Sequence, residues 1–111
     1  MNFKEVQNCY FEFEDKRHKI LQKTQNYFLK RKFQPYVWFD EEHRLRIKHK
    51  FTRGKDFKEV DEERCRFSDI MENFSEENGL TISYILDLCE TDMMLHEEIQ
   101  SQWSIEYILE V

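Results

Sequence analysis

Glycine and proline are almost missing from this chain: two of the first and one of the second in 111 residues. These residues punctuate turns and fill linkers. Their scarcity excludes long irregular loops, a flexible inter-domain linker and a Gly-rich phosphate cradle. No apolar run approaches the ~18–20 residues that a membrane-crossing helix needs. Met1-Asn2-Phe3-Lys4-Glu5 also lacks the charged-then-apolar layout of a secretory leader. The expectation is therefore a cytoplasmic protein with no membrane association. The three cysteines (Cys9, Cys65, Cys89) are odd in number and far apart. In a reducing compartment they read as buried small hydrophobes rather than as a disulfide framework.

Catalytic and metal motifs are missing too. His18, His43, His49, His96 and the cysteines show no ligand spacing. His96-Glu97-Glu98-Ile99-Gln100 opens like a helical zinc-protease motif, but Gln100 stands where the second histidine ligand is required. There is no nucleophile elbow, and Cys–His catalysis needs a pairing in space that no spacing signals here. Adjacent carboxylates (Glu62/Glu63, Glu76/Glu77, Glu97/Glu98) point apart on a helix and read as solvated faces. No metal, no cofactor and no enzymatic activity are expected. Asn73-Phe74-Ser75 matches a glycosylation acceptor, which matters only in a secreted protein.

Hydrophobic residues make up 40% of the chain and include ten Phe, five Tyr and two Trp, so a core exists and most of it is aromatic. The length suits a single domain spanning 1–111. Charge is unevenly laid out. Residues 1–15 carry −3, residues 16–55 carry +10 with thirteen Lys/Arg against three acids, and residues 56–111 carry −13 with sixteen acids against three Lys/Arg. Either the two halves fold against each other and neutralise, or the surface is bipolar and one pole binds a partner.

The spacing predicts a long helix over 2–32. Phe3, Val6, Tyr10, Phe13, Ile20 and Tyr27 form its apolar stripe, with Arg17 and Thr24 in the missing turns. Asn2 and Glu5 fit a capping box, and Lys30-Arg31-Lys32 suits the negative helix end. Cys9–Glu14 also alternates, which leaves a short strand open there, and the stripe itself permits a helix-mediated homodimer. Tyr36–Phe39 reads as a strand, Asp40-Glu41-Glu42-His43 as a hairpin loop and 44–51 as a second strand. In that strand Leu45, Ile47 and Phe51 are expected to be buried, and Arg44, Arg46, Lys48 and Lys50 to face water or acids from 56–111. Arg53-Gly54-Lys55 makes a turn.

A second helix is predicted over 57–78, capped by Asp56 with Glu59 and ended by Gly79, with a break near Arg66 conceivable. Its stripe is Phe57, Val60, Phe67, Met71 and Phe74, with Arg64 inside it. Residues 82–88 (Ile-Ser-Tyr-Ile-Leu-Asp-Leu) are echoed at 105–111 (Ile-Glu-Tyr-Ile-Leu-Glu-Val), which reads as two strands although helix is compatible. Between them Thr91 fits the cap of a short helix buried along Leu95, Ile99 and Trp103. The fold class is α+β: a four-stranded, mainly antiparallel sheet packed against a long N-terminal helix and one or two further helices, in the order α-β-β-α-β-α-β.

Two function classes follow. The first is a small acidic inhibitor of a basic protein, such as a nuclease or toxin, of the toxin-immunity, antitoxin or phage counter-defence type. It would make contact through Asp40, Glu41, Glu42, Asp61, Glu62, Asp69, Glu72, Glu76 and Glu77; a secretion-chaperone-like dimer is a near neighbour of this reading. The second is a nucleic-acid binder using Arg44, Arg46, Lys48, Lys50, Arg53 and Lys55, with Tyr36 and Trp38 as stacking surfaces.

Overall fold

The computed structural model describes the backbone of residues 3–51, 56–93 and 99–110, and the side chains of residues 14–51, 56–88 and 103–110. Within these, the elements are α1 (Phe3–Leu29), β1 (Tyr36–Phe39), β2 (Leu45–Lys50), α2 (Phe57–Asn78), β3 (Thr81–Met93) and β4 (Ile99–Glu110). The four strands form one antiparallel sheet in the order β1-β2-β4-β3. The α+β class, the four-stranded antiparallel sheet and the two long helices are as the sequence predicts. The caps predicted at Asn2 and the turn at 53–55 lie outside the described residues.

The third helix is a correction. Thr91 belongs to β3, Ile99 and Trp103 belong to β4, and Thr91 pairs with Ser101 and Met93 with Ile99. β3 and β4 therefore run on past the last rung that β2 shares, Lys50 with Ser104, as a two-stranded ribbon. Cys9–Glu14 is helical, which removes the short-strand alternative there.

Both helices end in the same way. Phe33 N donates to Phe28 O and Lys32 N to Leu29 O, while Leu80 N donates to Ser75 O and Gly79 N to Glu76 O. These are paired Schellman bonds, which need a left-handed residue after the helix. Gly79 supplies it at φ 64, and Lys32 supplies it at φ 66 despite carrying a side chain. The first helix thus stops at Leu29, short of the predicted 32, and Lys30-Arg31-Lys32 forms its exit. Arg31 still serves the helix end: its Nη1 donates to Tyr27 O at 2.9 Å. At the other end of α2, Asp56 Oδ1 accepts from Glu59 N at 2.8 Å, the N-cap that the sequence predicts.

The core lies between the helices and one face of the sheet. It gathers Thr24 and Phe28 from α1, Val60, Phe67, Met71 and Phe74 from α2, Leu45, Ile47 and Phe51 from in and after β2, and Ile105, Tyr107 and Leu109 from β4. Leu45, Ile47 and Phe51 are buried as alternation predicts. Phe67 is its hub, with ring centroids 5.3 Å from Phe28, 5.3 Å from Phe33, 4.9 Å from His49 and 5.8 Å from Tyr107. Thr24 is fully buried with its hydroxyl donating to Ile20 O, so its own polar group is satisfied.

Two apolar expectations fail on α2. Phe57 belongs to the predicted stripe but is 76% exposed, because it is the first residue of α2 and extends past the packed layer. Cys65 is exposed on α2 rather than buried. No described helix is long and apolar enough to cross a membrane.

Candidate partner-binding surface

The hairpin between β1 and β2 is built around one carboxylate. Asp40 Oδ1 accepts from the backbone N–H of Glu42 and of Arg44, each at 2.9 Å. Its Oδ2 accepts from Nε of Arg46 at 2.8 Å and Nε of Arg44 at 3.1 Å. His43 closes the loop in the left-handed region at φ 62, the geometry of a three-residue hairpin with a bulge. The Arg46 guanidinium, joined by the Arg44 contacts and the Glu42 amide, holds the Asp40 carboxyl well below the usual carboxylate range. Arg17 of α1 pins this loop, donating from Nη2 to His43 Nδ1 at 2.7 Å and lying over the Phe39 ring.

Arg46 also reaches across the sheet, from Nη1 to Glu106 Oε2 at 2.9 Å, and Glu106 is buried. The Asp40 hydrogen bond, then the Glu106 charge, raise the Arg46 pKa above its ordinary value. Arg44 pairs with Glu42 as well, at 3.3 Å. Lys48 is half-buried in register with Glu106, and Lys50 is exposed with its ammonium over the Tyr36 ring. The basic strand face therefore meets acids rather than only water, as one of the two expectations for it held. Arg53 and Lys55 lie outside the described residues.

The predicted acidic residues divide by the same test. Asp40 is enclosed and fully used inside the hairpin, so it is no docking group, and Glu42 leans on Arg44. Glu41 is exposed at the loop tip. Asp61, Glu62, Asp69, Glu72, Glu76 and Glu77 are all exposed on α2. At 3.6 residues per turn, Asp61, Glu72, Glu76, Asp69 and Glu62 fall within an arc of about 100°, opposite Val60, Phe67, Met71 and Phe74. None of the six takes part in an ion pair among the described residues. Lys58 and Arg66 share the solvent side, but α2 holds eight acids against three bases, so the face is net anionic.

Beside that face, at the start of α2, lies a small cleft of about 150 Å³ lined by Phe57, Val60, Asp61, Arg64 and Trp103. Trp103 is 39% exposed, and with Phe57 it offers aromatic surface next to the carboxylates. Periodicity had placed both residues in the core, so this cleft was not legible. Comparison with protein-family models, curated proteins and solved structures finds no match.

Two further features were missed. His49 bonds Glu63 between Nε2 and Oε2 at 3.0 Å, with its ring stacked on Phe67. The signal available was a histidine on the inward phase of β2. The second is a cationic strip on α1, where Lys16, Lys19, Lys23 and Lys30 are exposed at three-, four- and seven-residue intervals and continue into Arg31 and Lys32. Lys19 pairs with Asp15 at 3.0 Å, in the open. Anionic and cationic territories thus sit on separate helices. Among the described residues no group of three or more His, Cys, Asp or Glu side chains is placed to hold a metal.

Proposed function

We propose that this chain is a non-enzymatic binding protein that blocks a basic protein partner, docking it on the solvent face of α2. The observation that carries the reading is the contrast between two charged surfaces. The carboxylates of Asp61, Glu62, Asp69, Glu72, Glu76 and Glu77 are exposed and form no ion pair among the described residues, whereas Arg44 and Arg46 are consumed by Asp40, Glu42 and Glu106. Unpaired surface charge speeds encounter with an oppositely charged partner, and exposed aromatics at its border supply affinity once contact is made. Phe57 and Trp103 stand at that border. An inhibitor of the toxin-immunity, antitoxin or phage counter-defence type, acting in the cytoplasm on a nuclease or toxin, fits this chemistry.

The nucleic-acid reading is the weaker one, because a phosphate approaching β2 must displace carboxylates already bound to its arginines. The test is affinity capture from the native cell with wild type and with Asp61→Lys/Glu72→Lys/Glu76→Lys, both checked for the same circular dichroism. The proposal expects a basic protein held by wild type, released by salt and lost by the variant. Equal retention by both baits contradicts it, and a low-salt gel shift that Arg46→Glu/Lys48→Glu abolishes would favour the nucleic-acid reading instead.

A further inference from the structure

β3 forms one edge of the sheet, so the N–H and C=O groups on its outer side have no strand to pair with among the described residues. Protein edges are ordinarily blunted by short strands, proline, lysine or a covering element. β3 is 13 residues long and contains no Pro, Lys or Arg; its charges are the carboxylates of Asp87, Glu90 and Asp92, and its register shift lies between Ile82 and Tyr84, at one end of the apolar stretch. Its middle is apolar and uncovered, with Tyr84 60%, Ile85 53% and Leu86 39% exposed.

The pairing with β4 fixes which way these side chains face. Ile85 stands opposite Tyr107, on the helix side of the sheet, while Tyr84 stands opposite Ile108 and Leu86 opposite Glu106, on the far side. The register shift between Ile82 and Tyr84 produces this phase. Apolar side chains are thus exposed on both faces of the same edge. A partner lying on one face would cover only half of them. The helix layer reaches β3 at Asp87, which Arg64 of α2 contacts at 3.4 Å, but it leaves Ile85 half-exposed.

We infer that β3 is a homodimer edge, pairing antiparallel with β3 of a second copy about a two-fold axis through Ile85. An antiparallel two-fold keeps each face continuous and sets residue i opposite 170 − i. Tyr84 then meets Leu86 of the second copy on the far face, and Ile85 meets Ile85 of the second copy on the helix face. Every exposed apolar residue of the edge gains an apolar cross-strand neighbour. Apolar matching favours this register: an axis through Leu86 would set Ile85 opposite Asp87 of the second copy, and one through Asp87 would set two carboxylates face to face, whereas here Asp87 falls opposite Ser83. The result is a continuous eight-stranded sheet, and the inference rests on β3 alone, apart from the partner-binding proposal.

The experiment measures molar mass by light scattering on the full chain at about 0.1 mM, a concentration that populates a micromolar dimer. Wild type is expected at the mass of two copies and Ile85→Lys at one copy, with unchanged circular dichroism. As a second readout, Ile85→Cys in a chain with Cys9, Cys65 and Cys89 replaced by serine should give a covalent dimer on oxidation. Thr81→Cys in the same background, about 27 Å from its symmetry mate by strand rise, should not. A wild-type mass of one copy overturns the inference and leaves the edge for a foreign strand. A dimer that survives Ile85→Lys also overturns it, by placing the contact elsewhere.

Discussion

Arg46 and Glu106 lie sixty positions apart in sequence and meet at 2.9 Å across the sheet. The same guanidinium holds Asp40 at 2.8 Å, so a single side chain ties the β1–β2 hairpin to the central strand β4. Replacing it leaves a buried carboxylate without its cation. Arg46→Met should therefore destabilise the fold by about 2–3 kcal/mol, below the full buried-pair cost because Arg46 is partly exposed. Glu106→Gln, which keeps an acceptor, should cost less. Urea unfolding of the two variants beside wild type checks the order.

Asp40 makes the fold acid-sensitive in a defined direction. Its carboxyl is held low in the folded state, first by the Arg46 hydrogen bond and then by the contacts from Arg44 and the Glu42 amide, with partial burial opposing them. A depressed folded pKa contributes stability above the unfolded value of about 4, and this contribution is lost as pH falls through the folded value. Below about pH 4 the unfolded chain binds a proton at this site that the folded chain does not. Melting temperature should thus fall from pH 4 toward pH 2, and Asp40→Asn should flatten that fall by about one proton while lowering the melting temperature at pH 7.

The two helix exits make a matched pair for backbone strain. Gly79 has φ 64, and an added Cβ there would meet nothing within 4 Å. Any cost of Gly79→Ala is therefore conformational, about 1 kcal/mol. Lys32 adopts φ 66 with a side chain, so Lys32→Gly should be more stable than Lys32→Ala by about 0.5–1 kcal/mol. Thermal melts of the three variants test both signs at once.

Phe57 and Phe67 separate what periodicity reveals from what it does not. Both sit on the predicted stripe, but Phe67 is fully buried among four rings and Phe57 is 76% exposed. Phe67→Ala should cost about 3–5 kcal/mol, a large share of the 5–15 available to a domain. Phe57→Ala should stay within about 0.5 kcal/mol.

Local signals were legible for a physical reason: they act within a few residues. The alternation of 44–51, the Asp56 cap and the Gly79 exit each need only their own neighbours. The third helix failed because Leu95, Ile99 and Trp103 recur every four residues, a spacing close to one helical turn and also twice the strand period. Cys89, Thr91 and Met93 alternate with Glu90 and Asp92, which is the strand signal that the ribbon obeys. The echo of 82–88 at 105–111 correctly marked two strands. Its apolar phases face opposite sides of the sheet, however, because Tyr84 pairs with Ile108 and not with Tyr107. That offset depends on cross-strand register, which sequence spacing does not carry, and it is why the exposed edge went unseen. The exposure of Asp61, Glu62, Asp69, Glu72 and Glu76 was legible because they repeat opposite a core stripe, which Glu77 flanks. Asp40 was not separable from them, since its four donors, from Glu42, Arg44 and Arg46, converge only once the hairpin has formed.

The most direct measurement is the association rate of the captured basic partner with wild type and with Asp61→Lys/Glu72→Lys/Glu76→Lys, followed by stopped flow across ionic strength. The wild-type rate should fall steeply with salt and the variant should be at least ~10-fold slower at low salt, the two converging as screening rises. Equal rates at low salt would contradict docking on α2.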